Sequence, residues 1–247
     1  LKRAGLPRIR FHDLRHTFAT MALQNGVDVK TVSSMLGHYS AGFTLDTYAH
    51  VTTDAQFKAA SEACGQANLG IGLYQDLAVG VAAESAETWG AQELFAVDLS
   101  IGSPPDMFNA DGQRWGVAPM RPARMREEAY ASYRRILSAN MKRAGAVRID
   151  HVMGLARLFC IPDGAAGAYV QYPFADMVGI VALESHRNKC LVVGEDLGVV
   201  PGFFREALAE AGILSFRVCR YERTPDGRYI PPASYPESAL VAAGTHD

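Results

Sequence analysis

The stretch VRIDHVMGL, residues 147–155, runs as a short apolar strand into Arg148, Asp150 and His151. Arg148 and Asp150 are two apart, and because side chains alternate along a strand they project to the same side. A guanidinium in that place is expected to hold Asp150 ionised, the form in which a carboxylate can act as a nucleophile. Glu195 follows the apolar run LVVG, a setting that raises a carboxyl pKa and keeps the proton available for general acid work. Asp196 stands beside it, and chemistry alone does not choose between the two. Two carboxyl groups with opposed proton affinities on neighbouring strand ends meet the requirement of retaining glycosyl transfer. One attacks the anomeric carbon and the other protonates the leaving oxygen, across a gap of roughly 5–5.5 Å.

Such groups need a scaffold of strands that end together. From about residue 62 onward, short apolar runs alternate with helical stretches, the pattern of βα repeats around a parallel sheet. Candidate strands are GIGLYQDLAV (70–79), AVRIDHV (146–152), KCLVVGEDLG (189–198), LSFRVCR (214–220) and ALVAAGTHD (239–247). They terminate in Asp76, Asp150, Glu195, Arg217 and Asp247, and in a (β/α)8 barrel the active site is built from the C-terminal strand ends. Helical spacing occurs in EEAYASYRRILSANMKRAG, in FADMVGIVALESHRN and in PGFFREALAEAG, which has Pro at its start and Gly at its end. His186, at the end of the second of these, is read as a helix-end residue near the negative pole of the dipole and is given no role.

The whole chain has 247 residues, 49% of them hydrophobic, which suits one large domain or two unequal ones and excludes a disordered chain. It contains no run of eighteen or more apolar residues, and its first residues, LKRAGLPRIRF, lack the apolar core of a signal peptide. The expectation is a cytoplasmic protein with no membrane partner. Cys64, Cys160, Cys190 and Cys219 show neither zinc-type spacing nor the density of a disulfide framework, so reduced core thiols are expected. The carboxylates read as acid/base groups rather than a metal cage, and no cofactor is signalled. Charge is uneven: residues 1–60 hold seven Lys/Arg against four Asp/Glu, although the net charge of the chain is −2.

That basic first quarter has a different pattern. FHDLRHTFATMALQNGVD places Leu14, Phe18 and Met21 at helical spacing, with His12 and Arg15 on one face near the start. A second helix, VKTVSSMLG, follows Asp28 as N-cap, turns Val29, Val32, Met35 and Leu36 inward and ends at Gly37, with His38 just beyond. TLDTYAHV then brings in Tyr48. HDLRHTFAT, LGH and TLDTYAHV resemble, in order, the His-x-x-Arg box, the second histidine and the tyrosine of the tyrosine recombinase (phage integrase) catalytic domain. That resemblance implies DNA as a partner, with Arg15 clamping a phosphate oxygen, His12 and His38 donating to the same phosphate or shuttling protons, and Tyr48 attacking. It also implies an incomplete site, because the family's first arginine and its strand-borne lysine precede this helix and are not found here.

Residues 70–247 carry a second resemblance. GLYQDLAVGV, GSPPDMFNADGQRWG, RIDHVMGL, VGEDLGVVP and THD are similar to the motifs of glycoside hydrolase family 77, the amylomaltases or 4-α-glucanotransferases. The resemblance implies that Asp150 is the nucleophile, that Glu195 rather than Asp196 is the acid/base, and that Asp247 is a third carboxylate gripping sugar hydroxyls. Arg148, His151 and His246 would flank the reacting sugar. Trp115 would be a platform for a glucan ring, with Asp106, Asn109 and Gln113 shaping its loop. For Asp76 two readings stay open, a rim residue that binds substrate or a cap for the next segment. The implied partners are α-1,4-glucans and maltooligosaccharides.

The fold expected is therefore α/β, a partial (β/α)8 TIM barrel with about five of eight strands, preceded by a small all-α recombinase fragment. The expected divisions are 1–57, a junction at 58–69 that reads as a helix without a Pro/Ser/Gly-rich spacer, and 70–247. Three functional readings stand side by side: a 4-α-glucanotransferase impaired by truncation, a DNA-binding or strand-exchange fragment, and an inactive chimera.

Overall fold

The computed structural model describes residues 11–24, 27–37, 40–105 and 109–244. The chain separates into two compact units, Leu1–Leu69 and Gly70–Asp247.

The first unit is helical: α1 (Phe11–Gln24), α2 (Val29–Leu36) and α3 (Ala41–Gln66). Asp28 caps α2 by accepting from the Thr31 backbone N–H at 2.9 Å, and Gly37 ends it in the left-handed conformation at φ 64°. The buried cluster is Ala19, Leu23, Val32 and Leu36. This corrects the expected inward faces. Phe18 and Met21 are 46% and 57% exposed and Met35 is 65% exposed. Successive helical residues are turned by about 100°, so a buried stripe through Ala19 and Leu23 leaves Phe18 well to one side of it and Met21 on the opposite face. The small Ala19 lets α1 come close to its neighbours where a bulkier residue would hold it off. Helix α3 runs unbroken through residues 58–66 of the expected junction.

The second unit begins with β1 (Tyr74–Leu77), β2 (Val81–Ala82), α4 (Ala86–Gly90), β3 (Leu99–Ser103), β4 (Gln113–Arg114) and β5 (Val117–Ala118). It continues through α5 (Pro122–Glu127), α6 (Ala131–Met141), β6 (Ala146–Ile149), β7 (Arg157–Pro162) and β8 (Ala168–Gln171). The chain then forms α7 (Phe174–Asn188), β9 (Leu191–Gly194), α8 (Phe204–Glu210), β10 (Leu214–Val218) and β11 (Ala239–Ala242). Strands β1, β6, β9, β10 and β11 form a five-stranded sheet in that order, every neighbouring pair parallel. All five candidate strands are in it. Arg217 lies inside β10 rather than at its end and pairs with Glu222 at 3.3 Å.

Helices α6, α7 and α8 are the crossovers, as parallel pairing demands. Val147 and Ile149 of β6 pack into one core with Leu137 and Met141 of α6 and Val181 of α7. The alternate residues of the sheet face the other way, where Val193, Phe216 and Val218 form a separate buried cluster.

A second sheet, with the order β4-β3-β7-β8, is antiparallel throughout and was not expected from the sequence. One of its faces buries Ile101, Leu158 and Cys160 in the main core. Its signal was available in RLFCIPDGAAGAYVQY, two alternating runs around a Gly-rich turn.

Gly145 joins these layers at the entry to β6. Its N–H donates to the Leu73 carbonyl and its carbonyl accepts from Leu191 N–H, both at 2.9 Å, and a Cβ there would lie 1.4 Å from the Ile71 carbonyl oxygen. No side chain can move aside to make room. Gly145→Ala should therefore destabilise the unit by about 3 kcal/mol, read as a lower urea midpoint for loss of far-ultraviolet circular dichroism; an unchanged midpoint would contradict this packing.

Candidate active site

Parallel register brings the site together. Asp76 on β1, Arg148 on β6 and Val193 on β9 are paired across neighbouring strands, so their side chains share one face. Asp150 keeps the parity of Arg148, and Glu195 keeps that of Val193. The Arg148 side chain, only 10% exposed, donates to Asp76 Oδ1 at 2.6 Å and to Asp150 Oδ1 at 2.9 Å, and lies 3.8 Å from Glu195 Oε1. Its guanidinium also lies 5.6 Å from the Phe216 ring centre. Since one nitrogen approaches both acids, the Asp150 and Glu195 oxygens are separated by at most the sum of the two distances, about 6.7 Å. That bound suits the roughly 5–5.5 Å of a retaining pair and excludes most of the roughly 6.5–9.5 Å range of an inverting one.

Parity also separates Glu195 from Asp196. Asp196 points the other way and is 1% exposed. It accepts from Arg205 Nε of α8 at 2.5 Å and from Phe216 N–H at 3.2 Å, which ties α8 and β10 to the end of β9. Those contacts occupy both of its oxygens, while Glu195 faces the cleft.

The turn after β6 completes the arrangement. His151 adopts the left-handed conformation, φ 46° and ψ 59°, where few residues other than glycine are found. It is held by backbone bonds on both sides: Asp150 N–H donates to the Leu77 carbonyl at 2.9 Å and Val152 N–H to the Glu195 carbonyl at 3.0 Å. In that conformation the His151 N–H donates to Glu195 Oε2 at 2.8 Å. Gly194 makes the turn possible, because a Cβ there would lie 2.9 Å from the Val152 side chain.

Burial raises the Glu195 pKa above the usual carboxyl range, and the nearby Asp150 charge adds to it; the His151 N–H and Arg148 pull the other way without cancelling the rise. Burial lowers the His151 pKa, which favours the neutral imidazole, against an opposing pull from Asp150. For Arg148, burial works against the charge, but the hydrogen bond to Asp76 and the three carboxylates outweigh it and the pKa is raised.

The groups open onto a cleft of about 660 Å³ whose lining includes Gln113, Trp115, Arg148, Asp150, His151 and Glu195. Trp115 meets His151 edge to face at 5.0 Å between ring centres and donates from Nε1 to Gln113 Oε1 at 2.8 Å. Asp76 is half exposed at the edge of the cluster, bound to Arg148. Asn109 accepts from Gly112 N–H in the loop before β4 and is not among the described residues lining the cleft. Asp106, His38, His246 and Asp247 lie outside the described residues. In the first unit, Arg15 donates to the Leu36 carbonyl, closing the end of α2. The His12 and Tyr48 side chains are outside what the structure describes.

Among the described residues no cluster of three or more His, Cys, Asp or Glu is arranged to hold a metal ion, and no helix is long and apolar enough to cross a membrane. The four cysteines are free thiols, Cys160 and Cys190 buried. Sequence reasoning missed Phe159, Tyr169 and Tyr221, aromatic residues that also line the cleft; the alternation in the β7–β8 hairpin was the available signal for the first two.

Comparison with known proteins bears on this site. Residues 20–247 match glycoside hydrolase family 77, described as 4-alpha-glucanotransferase. The match begins inside the segment whose motifs resemble a recombinase. A 4-alpha-glucanotransferase of Haemophilus influenzae is 42% identical over 198 residues, covering 79% of this chain and 28% of that protein. The chain thus spans under a third of the length of this relative. Amylomaltase from Corynebacterium glutamicum superposes with a TM-score of 0.78 at 29% identity, covering 98% of this chain and 37% of that one. Amylomaltase from Streptococcus agalactiae in complex with acarbose shares the fold, with a TM-score of 0.71 at 20% identity over 95% of this chain and 52% of that one. With its parallel α/β sheet and its carboxylates gathered at the strand ends, the chain belongs to glycoside hydrolase family 77, the 4-alpha-glucanotransferases.

Proposed function

We propose that this chain carries the reacting groups of a retaining 4-α-glucanotransferase acting on α-1,4-glucans and maltooligosaccharides. The observation that supports this most directly is the single Arg148 guanidinium shared by Asp76, Asp150 and Glu195. Asp150 attacks the anomeric carbon while Glu195, whose proton is retained by burial, donates to the departing glycosidic oxygen. The covalent glucosyl intermediate on Asp150 is then opened by a sugar hydroxyl of an incoming glucan, which Glu195 deprotonates, so the bond is transferred rather than hydrolysed. Arg148 fixes the spacing of the two acids. Trp115 offers an aromatic face to the acceptor, oriented by its bond to Gln113 and its contact with His151. Asp247 as a third carboxylate and His246 beside it rest on the motif resemblance. So do the contributions of Asp106 and Asn109 to the Trp115 loop and the (β/α)8 barrel of which the five-stranded sheet would be a part.

Incubating the chain with maltotriose should give glucose plus a ladder of longer maltooligosaccharides; glucose and maltose alone, with no ladder, would mark a hydrolase instead. Asp150→Asn should abolish turnover, because an amide cannot attack. Glu195→Gln should slow turnover of maltotriose by about a thousandfold. With a glucosyl fluoride as donor it should regain the first step, since fluoride leaves without a proton, and mass spectrometry should then find a glycosyl adduct on Asp150.

Burial of Glu195 also predicts a pH signature. Its folded pKa is raised, so its contribution to stability is fully present below the unfolded value of about 4.3 and is lost as pH rises through the folded value. Glu195→Gln keeps an oxygen for the His151 N–H but never ionises. The variant should therefore gain in urea midpoint relative to the parent between about pH 4 and about pH 7. A constant difference across that range would contradict the raised pKa.

Residues 11–66 are proposed to have no strand-cutting role, whatever their ancestry. Arg15, the residue that would clamp a phosphate, is bound to the end of α2. Incubation with duplex or nicked DNA should yield no covalent adduct; an adduct that disappears in Tyr48→Phe would restore the recombinase reading.

A further inference from the structure

The antiparallel sheet presents its second face to the cleft, and its register places four residues in a row across it. Arg114 on β4 pairs with Gly102 on β3, Gly102 with Phe159 on β7, and Phe159 with Tyr169 on β8. Strands are about 4.8 Å apart, so Tyr169 stands roughly 14 Å across the sheet from Arg114, the neighbour of Trp115. Phe159, Tyr169 and Arg157 all line the same cleft as Asp150 and Glu195.

These three side chains form one unit. The Phe159 and Tyr169 rings meet at 68° with centres 5.2 Å apart. The Arg157 guanidinium lies 4.3 Å from the Tyr169 ring centre. Gly167 leaves room for this packing: a Cβ there would lie 2.5 Å from the Phe159 ring. Tyr169 is nevertheless 40% exposed. Its orientation is set from two sides while much of its surface stays open to the cleft, and a cationic fork with spare donors stands beside it.

We infer that Tyr169 and Arg157 form a distal glucosyl-binding platform, a second aromatic contact for a glucan already engaged near Trp115. The inference rests on the proposed glucan chemistry and adds to it a preference for chain length. A glucose ring places its C–H face against the tyrosine and its hydroxyls within reach of the guanidinium. Phe159 acts as a positioning residue behind the tyrosine. Preset aromatic side chains contribute contact area without first losing rotamer freedom, which suits a site that must hold a flexible oligosaccharide. A glucan too short to reach from Trp115 to Tyr169 gains nothing from the platform, whereas a longer one is held at both ends.

Isothermal titration with maltotriose and with maltoheptaose tests this, the full chain and every variant carrying Asp150→Asn so that neither sugar is consumed. The chain without a further substitution should bind maltoheptaose more tightly than maltotriose. Tyr169→Ala should weaken maltoheptaose by about tenfold and leave maltotriose unchanged, and Arg157→Gln should weaken the longer sugar in the same selective way. Tyr169→Phe, which keeps the ring, should stay within about twofold of the parent, and this separates a lost platform from a damaged fold. If Tyr169→Ala binds maltoheptaose like the parent, or loses both sugars equally, the distal platform is wrong and the proposed chemistry at Asp150 and Glu195 stands. If the chain without a further substitution binds neither sugar, both are wrong.

Discussion

The Arg148 guanidinium, nearly buried and shared by three carboxylates, is the interaction on which the site depends. A buried cation is tolerated only where partners offset the loss of hydration, and three acids crowded at adjacent strand ends are tolerated only around a cation. Each side therefore requires the other. The parallel register supplies the geometry, because Asp76, Arg148 and Val193 stand level across β1, β6 and β9. The arrangement is not neutral for its members. Glu195, the most distant of the three from the guanidinium and well buried, retains its proton more strongly than a free carboxyl group does.

Alternation along single strands divides labour at the same place. In β6, Val147 and Ile149 serve the helix-facing core while Arg148 faces the cleft. Past the end of β9, Glu195 goes to the cleft and Asp196 to α8. One acid is thus free to react, and its neighbour is committed to holding the layer behind it. The left-handed turn at His151 adds the backbone donor that side chains alone would not provide.

Much of this was legible in the sequence. The five parallel strands announce themselves as short apolar runs, β6 and β9 stopping directly before Asp150 and Glu195, and FADMVGIVALESHRN corresponds residue for residue to α7. Period-two parity was enough to put Arg148 and Asp150 together. Register was not legible: nothing in GLYQDL shows that Asp76 would stand level with Arg148, since pairing is decided between strands distant in sequence. The antiparallel sheet was missed because β4 is only two residues long and the alternation of β7 and β8 around their Gly-rich turn was not read as a hairpin. The inward face of α1 was misjudged for a related reason. Large apolar residues were taken to mark the buried stripe, whereas Ala19 and Leu23 fill it and the larger Phe18 lies beside it.

The antiparallel sheet has one face in the core and the other on the cleft, so neighbouring residues of the same hairpin answer to different demands. Leu158 and Cys160 are fixed by packing, whereas Arg157, Phe159 and Tyr169 face the cleft and pack on one another. Substitutions on the open face can reshape what the cleft accepts while the hydrophobic interior stays filled, and repairs to the interior need not disturb the cleft. In evolutionary terms the hairpin is a module whose open surface and folding can drift independently, mounted beside a carboxylate cluster that has no such freedom.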